Sequence, residues 1–71
     1  MGHVLAKTIL ISRTIELIAN EYKISIEEAR NAFYDSRVIE MLDDDETGLY
    51  GESPLYLLSL YEEELRKRNA S

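Results

Sequence analysis

Apolar side chains recur along most of this chain at helical spacing. Over residues 4–22, Ile11, Ile15, Ile18 and Tyr22 follow a 3.6-residue period, and Leu10, Thr14 and Leu17 widen the stripe. Arg13, Glu16, Asn20 and Lys23 mark the wet opposite face. The pattern predicts a long first helix. Near its start the phase is lost, because Val4, Leu5, Ile9, Leu10 and Ile11 are apolar almost all round. A helix apolar on every side must be covered on every side, and so short a chain has little material to do it. Val4, Leu5, Ile9 and Leu10 are therefore expected to meet a second copy of the chain. Replacing Leu10 with Glu should then give a monomer of lower stability, since a charge would enter a dry contact. The alternative is a short N-terminal strand or a frayed end built on β-branched residues.

A second helix has a clear start. Ser25 followed by Glu28 is a capping box, and Ile24 and Ala29 are spaced for a weak hydrophobic staple. Ile26, Ala29, Ala32 and Phe33 form its expected buried face. Asp35-Ser36 permits a break, and a short third helix over about residues 37–42 would bury Val38, Ile39, Met41 and Leu42. Gly48, Gly51 and Pro54 then cluster, so residues 43–52 read as the divider before a last helix. Ser53 at the N-cap and Pro54 at the first helical position start it, and Leu57, Leu58, Tyr61 and Leu65 make its stripe. Glu62–Arg66, Glu63–Lys67 and Glu64–Arg68 are pairs at i,i+4, acid first, each contributing about 0.2–0.5 kcal/mol as part of a solvated helix end. The prediction is an all-α domain over residues 1–71, a small bundle of four helices with the first long and the third short.

Composition sharpens this picture. A chain of this size buries only about 60% of its unfolded surface, so small folds usually need a staple. The chain has no cysteine and one histidine, His3, so disulfides, thiolate chemistry and a histidine-built zinc site drop out and oligomerisation remains. Zero cysteine fits a reducing cytoplasm. The net charge of −6 repels phosphate backbones and suits a basic protein partner better than a nucleic acid. No apolar run is long enough for a membrane span, and residues 1–11 lack the positive start and small-residue cleavage site of a signal peptide.

Three motifs invite chemistry. Asp43, Asp45, Thr47 and Gly48 fall at the first, third, fifth and sixth places of a calcium loop, but the twelfth, which needs a bidentate glutamate, is Pro54. The same aspartates match a D-x-D-x-T phosphatase pattern, which needs a strand end in a large α/β domain and here follows helical residues. An acidic turn accounts for both. Residues 18–33 have helix-turn-helix character, yet Lys23 stands where a turn glycine is usual, and Glu27 and Glu28 would open the recognition helix against phosphates. Glycine-rich phosphate loops, catalytic triads and spaced metal ligands are not found in the sequence, so no enzyme activity, cofactor or metal is expected.

Tyrosine occurs five times, at Tyr22, Tyr34, Tyr50, Tyr56 and Tyr61. Tyr22 and Tyr61 read as semi-buried core rings. Leu49, Tyr50 and Tyr56, at the loop and at the mouth of the last helix, read as surface anchors and join the candidate interface.

Residues 25–65 resemble a family of short bacterial helical proteins of unknown function, about seventy residues long. The resemblance is carried by Asp44-Asp45-Glu46-Thr47-Gly48-Leu49-Tyr50, the D-x-E-T-x-L-Y turn, and by Glu52-Ser53-Pro54-Leu55-Tyr56-Leu57, the E-S-P-x-Y-L start. It implies a fixed connector with Leu49 tucked beneath it. Because such proteins often lie beside putative toxin genes, it also implies an antitoxin-like or accessory binding role, with no catalytic residue to carry over. The expected function is a self-associating protein-interaction module, a dimer before other states. The second reading is a helix-turn-helix DNA-binding regulator.

Overall fold

A computed structural model describes residues 3–70. Four α-helices follow in order: α1 (Val4–Tyr22), α2 (Ile26–Tyr34), α3 (Arg37–Asp43) and α4 (Pro54–Ala70). Two single-turn 3-10 helices, Asp45–Thr47 and Leu49–Gly51, join α3 to α4. No strand occurs among the described residues, so the start of α1 is helix.

The local signals act where the sequence places them. The Glu28 N–H donates to Ser25 Oγ at 3.0 Å and the Ser25 N–H donates to Glu28 Oε1 at 3.1 Å, which closes the capping box of α2. The Tyr56 N–H donates to Ser53 Oγ at 3.2 Å at the start of α4. α1 ends on Lys23, which adopts the left-handed conformation with φ 57°. The Ile24 N–H then reaches back to the Ala19 carbonyl at 3.0 Å, a Schellman closure that turns the chain into α2 without glycine. α3 has no side-chain cap of its own. Glu64 on α4 fills that role, accepting the Arg37 N–H on both carboxylate oxygens at 3.0 and 3.1 Å.

α1 is the spine, packed against α2 on one flank and α4 on the other. α4 begins beside the first turn of α1, where His3 stacks on Tyr50, and comes level with Tyr22 at Tyr61. Ile18, Ala29, Phe33, Val38, Leu42 and Leu57 are the innermost side chains of the shared core. Thr14 is buried there without loss, since its hydroxyl donates to the Leu10 carbonyl at 2.7 Å.

The sequence-based core list needs four corrections. Ile26 and Met41 are exposed, because α2 packs through Ala29 and Phe33 and α3 packs through Val38 and Leu42. Tyr22 lies at the rim, edge-on to Tyr61 with ring centroids 6.3 Å apart. Leu49, expected as a surface anchor, is buried under its own turn.

That turn is held by Thr47, whose hydroxyl donates toward the Met41 and Asp44 carbonyls at 2.6 and 2.8 Å and accepts the Leu49 N–H at 3.2 Å. Gly48 follows with φ 70°, a conformation that penalises a Cβ even where space is open, as it is here. Gly48→Ala should therefore destabilise the fold by about 1 kcal/mol through backbone strain alone. A urea titration with an unchanged slope and a lower midpoint is the expected record.

Candidate interaction surfaces

α1 outruns its cover. With a rise of about 1.5 Å per residue, its 19 residues span roughly 28 Å, whereas the nine of α2 span only about 14 Å. Val4 shares the helical arc of Ile11 and Ile15, but α2 ends at Tyr34, and Tyr34 shares a groove with Thr8 and Ile11. Leu5 and Ile9 lie on another arc, with Ser12 and Glu16, which border the groove between α1 and α2. The result is an apolar helix end left uncovered on two arcs: Val4 is 66% exposed, Leu5 72% and Ile9 46%. Leu10 belongs to a different surface. It is 5% exposed and sits in the core with Thr14 and Ile18, so it leaves the candidate interface, as Leu49 does. A residue enclosed by its own chain has no face left for a partner.

The remaining candidates divide. Tyr50 is half-buried, its ring stacked on His3 with centroids 3.7 Å apart, and so serves to hold the first turn of α1. Tyr56 is exposed at the mouth of α4 beside the still barer Leu55. The structure thus brings Val4, Leu5 and Ile9 onto one helix end and places Tyr56 on another helix.

Two grooves were not foreseen. One, about 290 Å³, runs between α1 and α2 and is lined by Ile11, Ser12, Ile15, Ile26, Arg30 and Tyr34 among others. A larger one, about 510 Å³, lies between α3 and α4 with Val38, Met41 and Leu60 on its floor. Its rim is already engaged: Arg68 Nη2 meets Glu64 at 2.8 Å and Lys67 Nζ meets Glu63 at 3.4 Å, two of the i,i+4 pairs the sequence offered. The available signal for the first groove was Tyr34 itself. It follows the buried Phe33 by one residue, and neighbours on a helix point about 100° apart.

The acidic stretch does not converge on a point. The Asp44 carboxylate accepts the Glu46 N–H at 3.0 Å, whereas Asp45 turns to Lys7 on α1 and pairs with its Nζ at 2.7 Å. Among the described residues no three carboxylate or imidazole groups assemble as metal ligands. The calcium-like spacing is thus resolved into one cap and one ion pair that ties the turn to α1. The hydrogen bond to Lys7 is the main cause that holds the Asp45 carboxyl below its ordinary range, and the bond to Asp45 holds the Lys7 ammonium above its own.

The signs fix a pH window. Asp45, being depressed, stabilises the fold above its unfolded pKa and loses that contribution as pH falls through its folded pKa. Lys7, being raised, contributes below its unfolded pKa and loses the contribution as pH rises through its folded pKa. The tie is complete between about pH 5 and pH 9. Lys7→Met should lower the melting temperature at pH 7, and the difference from wild type should shrink as pH falls through the depressed folded pKa of Asp45. A difference that persists in acid would show that Lys7 acts through packing alone.

The hinge between α1 and α2 has the outline of a helix-turn-helix. However, α2 has only nine residues and presents exposed Glu27 and Glu28 on its first turn. Any duplex approached that way would meet carboxylates first. Burial pushes the Tyr22 and Tyr61 phenols up, and for Tyr22 the nearby Glu62 adds to it. These rings therefore stay neutral at physiological pH and act as packing. No helix is long and apolar enough to cross a membrane among the described residues.

No protein-family model matches the chain, and no curated protein and no solved structure matches it either.

Proposed function

We propose that this chain is a non-enzymatic protein-interaction module of the cytoplasm that associates with a second copy of itself through the uncovered start of α1. The observation that carries the reading is the bare start of α1, where Leu5 and Ile9 on one arc and Val4 on another leave three large apolar side chains in water within two turns of one helix end. Single exposed apolar residues are ordinary, whereas a cluster on one rigid element marks a contact surface. A domain this small also has most to gain from burying surface against a partner.

The side-chain chemistry supports a binding role. Its hydrogen bonds are helix caps, back-bonds to the preceding turn and ion pairs between elements, each of them structural. With a net charge of −6, the rest of the surface suits a basic second protein, in keeping with the antitoxin-like role that the resemblance to short bacterial helical proteins implies. Sedimentation equilibrium at micromolar concentration tests the central claim. Twice the 8.2 kDa chain mass is expected, and a strict monomer up to tens of micromolar would overturn it.

A further inference from the structure

We propose that the groove between α3 and α4 is a second docking site, whose occupant is an acidic amphipathic helix of a partner protein. The site is separate from the start of α1, so the proposal does not depend on self-association. The groove holds about 510 Å³. Its apolar contact comes from Met41, which is 37% exposed, and from the half-buried Leu60, above the buried Val38. Leu60, Glu63, Glu64, Lys67 and Arg68 recur at helical spacing and share one face of α4. From Leu60 to Arg68 that face runs about 12 Å at 1.5 Å per residue, the length of two turns of a helix laid alongside. Two turns present apolar anchors at i, i+3 or i+4, and i+7, the spacing by which an amphipathic helix enters a groove. Methionine suits such a floor, because its unbranched thioether adapts to the side chain it meets.

Charge selects an acidic occupant. The chain carries −6 overall, yet three of its eight basic residues line this groove against two of its fourteen acidic ones. Both of those acids are engaged. Glu64 accepts the Arg37 N–H on both oxygens, at 3.0 and 3.1 Å, and meets Arg68 at 2.8 Å, so that its side chain is only 15% exposed. Glu63 pairs with Lys67. The Arg37 guanidinium differs, since it is exposed and makes no ion pair among the described residues. Glu40, three residues on, does not line the groove. An entering carboxylate therefore finds a cation at the edge of the apolar floor, whereas a lysine finds carboxylates already engaged. Elsewhere the acidic surface repels the same helix, so the field of the whole chain steers it to this face. Two turns make a small contact, which belongs with weak, transient interfaces.

The chain has two methionines, Met1 and Met41, so a carbon-13 label on the methionine methyl places one nuclear magnetic resonance reporter in the groove. The probe is a synthetic peptide of about sixteen residues, long enough for partial helicity, with leucine at i, i+3, i+4 and i+7 and glutamate between. Its twin carries lysine in place of glutamate. The glutamate peptide should shift the Met41 methyl saturably, with a dissociation constant on the order of 0.1 mM, and the lysine twin should not. Arg37→Gln keeps the N–H that Glu64 accepts and should weaken the binding about threefold to fivefold, and Arg37→Glu about tenfold. Arg13→Gln, on α1, should leave it unchanged. A lysine twin that shifts Met41 equally, or an Arg37→Gln protein that binds as tightly as wild type, overturns the proposal. So does decanoate acting on Met41 at the peptide's own concentration, which would make the groove a site for small amphiphiles. A Met41 signal that moves when the protein alone is diluted would show a second copy in the groove instead. Sedimentation of the wild type decides self-association by itself and leaves this site untouched.

Discussion

Leu10→Glu should unfold the chain, whereas Leu5→Glu should leave it folded and separate the copies. The two leucines are five residues apart on one helix, and the same charge is introduced at each. Leu10 is 5% exposed, so its replacement removes a buried aliphatic group and leaves a carboxylate among Thr14, Ile18 and the α4 core. Loss of the leucine alone costs about 2–5 kcal/mol. The carboxyl must also be neutralised or drag water inward, so the total exceeds about 5 kcal/mol. A domain of this length has only about 4–10 kcal/mol of stability to lose. Leu5 is 72% exposed, and a charge there should change folding stability by less than about 0.5 kcal/mol. Far-ultraviolet circular dichroism with sedimentation separates the two: helix lost for Leu10→Glu, helix kept at monomer mass for Leu5→Glu. A folded, monomeric Leu10→Glu protein would place Leu10 at the interface after all.

Those two residues also show where the sequence stops being informative. The ends of the helices were written in chemistry that acts over three or four residues: Ser25 with Glu28, and Ser53 with Pro54. Each of those assignments holds in the structure. The stripe of α1 was legible from Ile11 onward, because Arg13, Glu16 and Asn20 set its phase. Before Ile11 no such marker exists, apart from a lone Lys7. Val4, Leu5, Ile9 and Leu10 are interchangeable to a periodicity argument, and what sorts them is the length of α2 and the placement of α4. Leu49 was misplaced for a related reason. A leucine in a glycine-bearing turn looks exposed until the Thr47 hydroxyl, reaching the Met41 and Asp44 carbonyls, folds the turn over it. Grooves are harder still. The α1–α2 cleft is lined by residues of both helices, and how two helices meet is a property of the pair that neither encodes alone.

Phe33→Ala should lower the melting temperature more than any other truncation in α2, and its size tests how core and surface are coupled. The ring is fully buried and meets Tyr61 edge-on, with centroids 6.1 Å apart. Its removal costs about 3–5 kcal/mol, including the cavity and the lost aromatic pair. With about 4–8 °C lost per kcal/mol in a domain of this size, the transition should fall by roughly 12–40 °C. Tyr34→Ala, one residue on and 54% exposed, should cost the isolated fold less than about 1 kcal/mol. Concentration supplies the second half of the test. Association binds only folded chains, so a self-associating protein melts higher as it is concentrated. Phe33→Ala leaves the start of α1 intact and should keep that dependence at its lower transition. Leu5→Glu places a charge on the bare start of α1 and should remove the dependence while barely moving the dilute-limit transition. If neither variant nor the wild type melts any higher on concentration, the start of α1 faces water without a second copy.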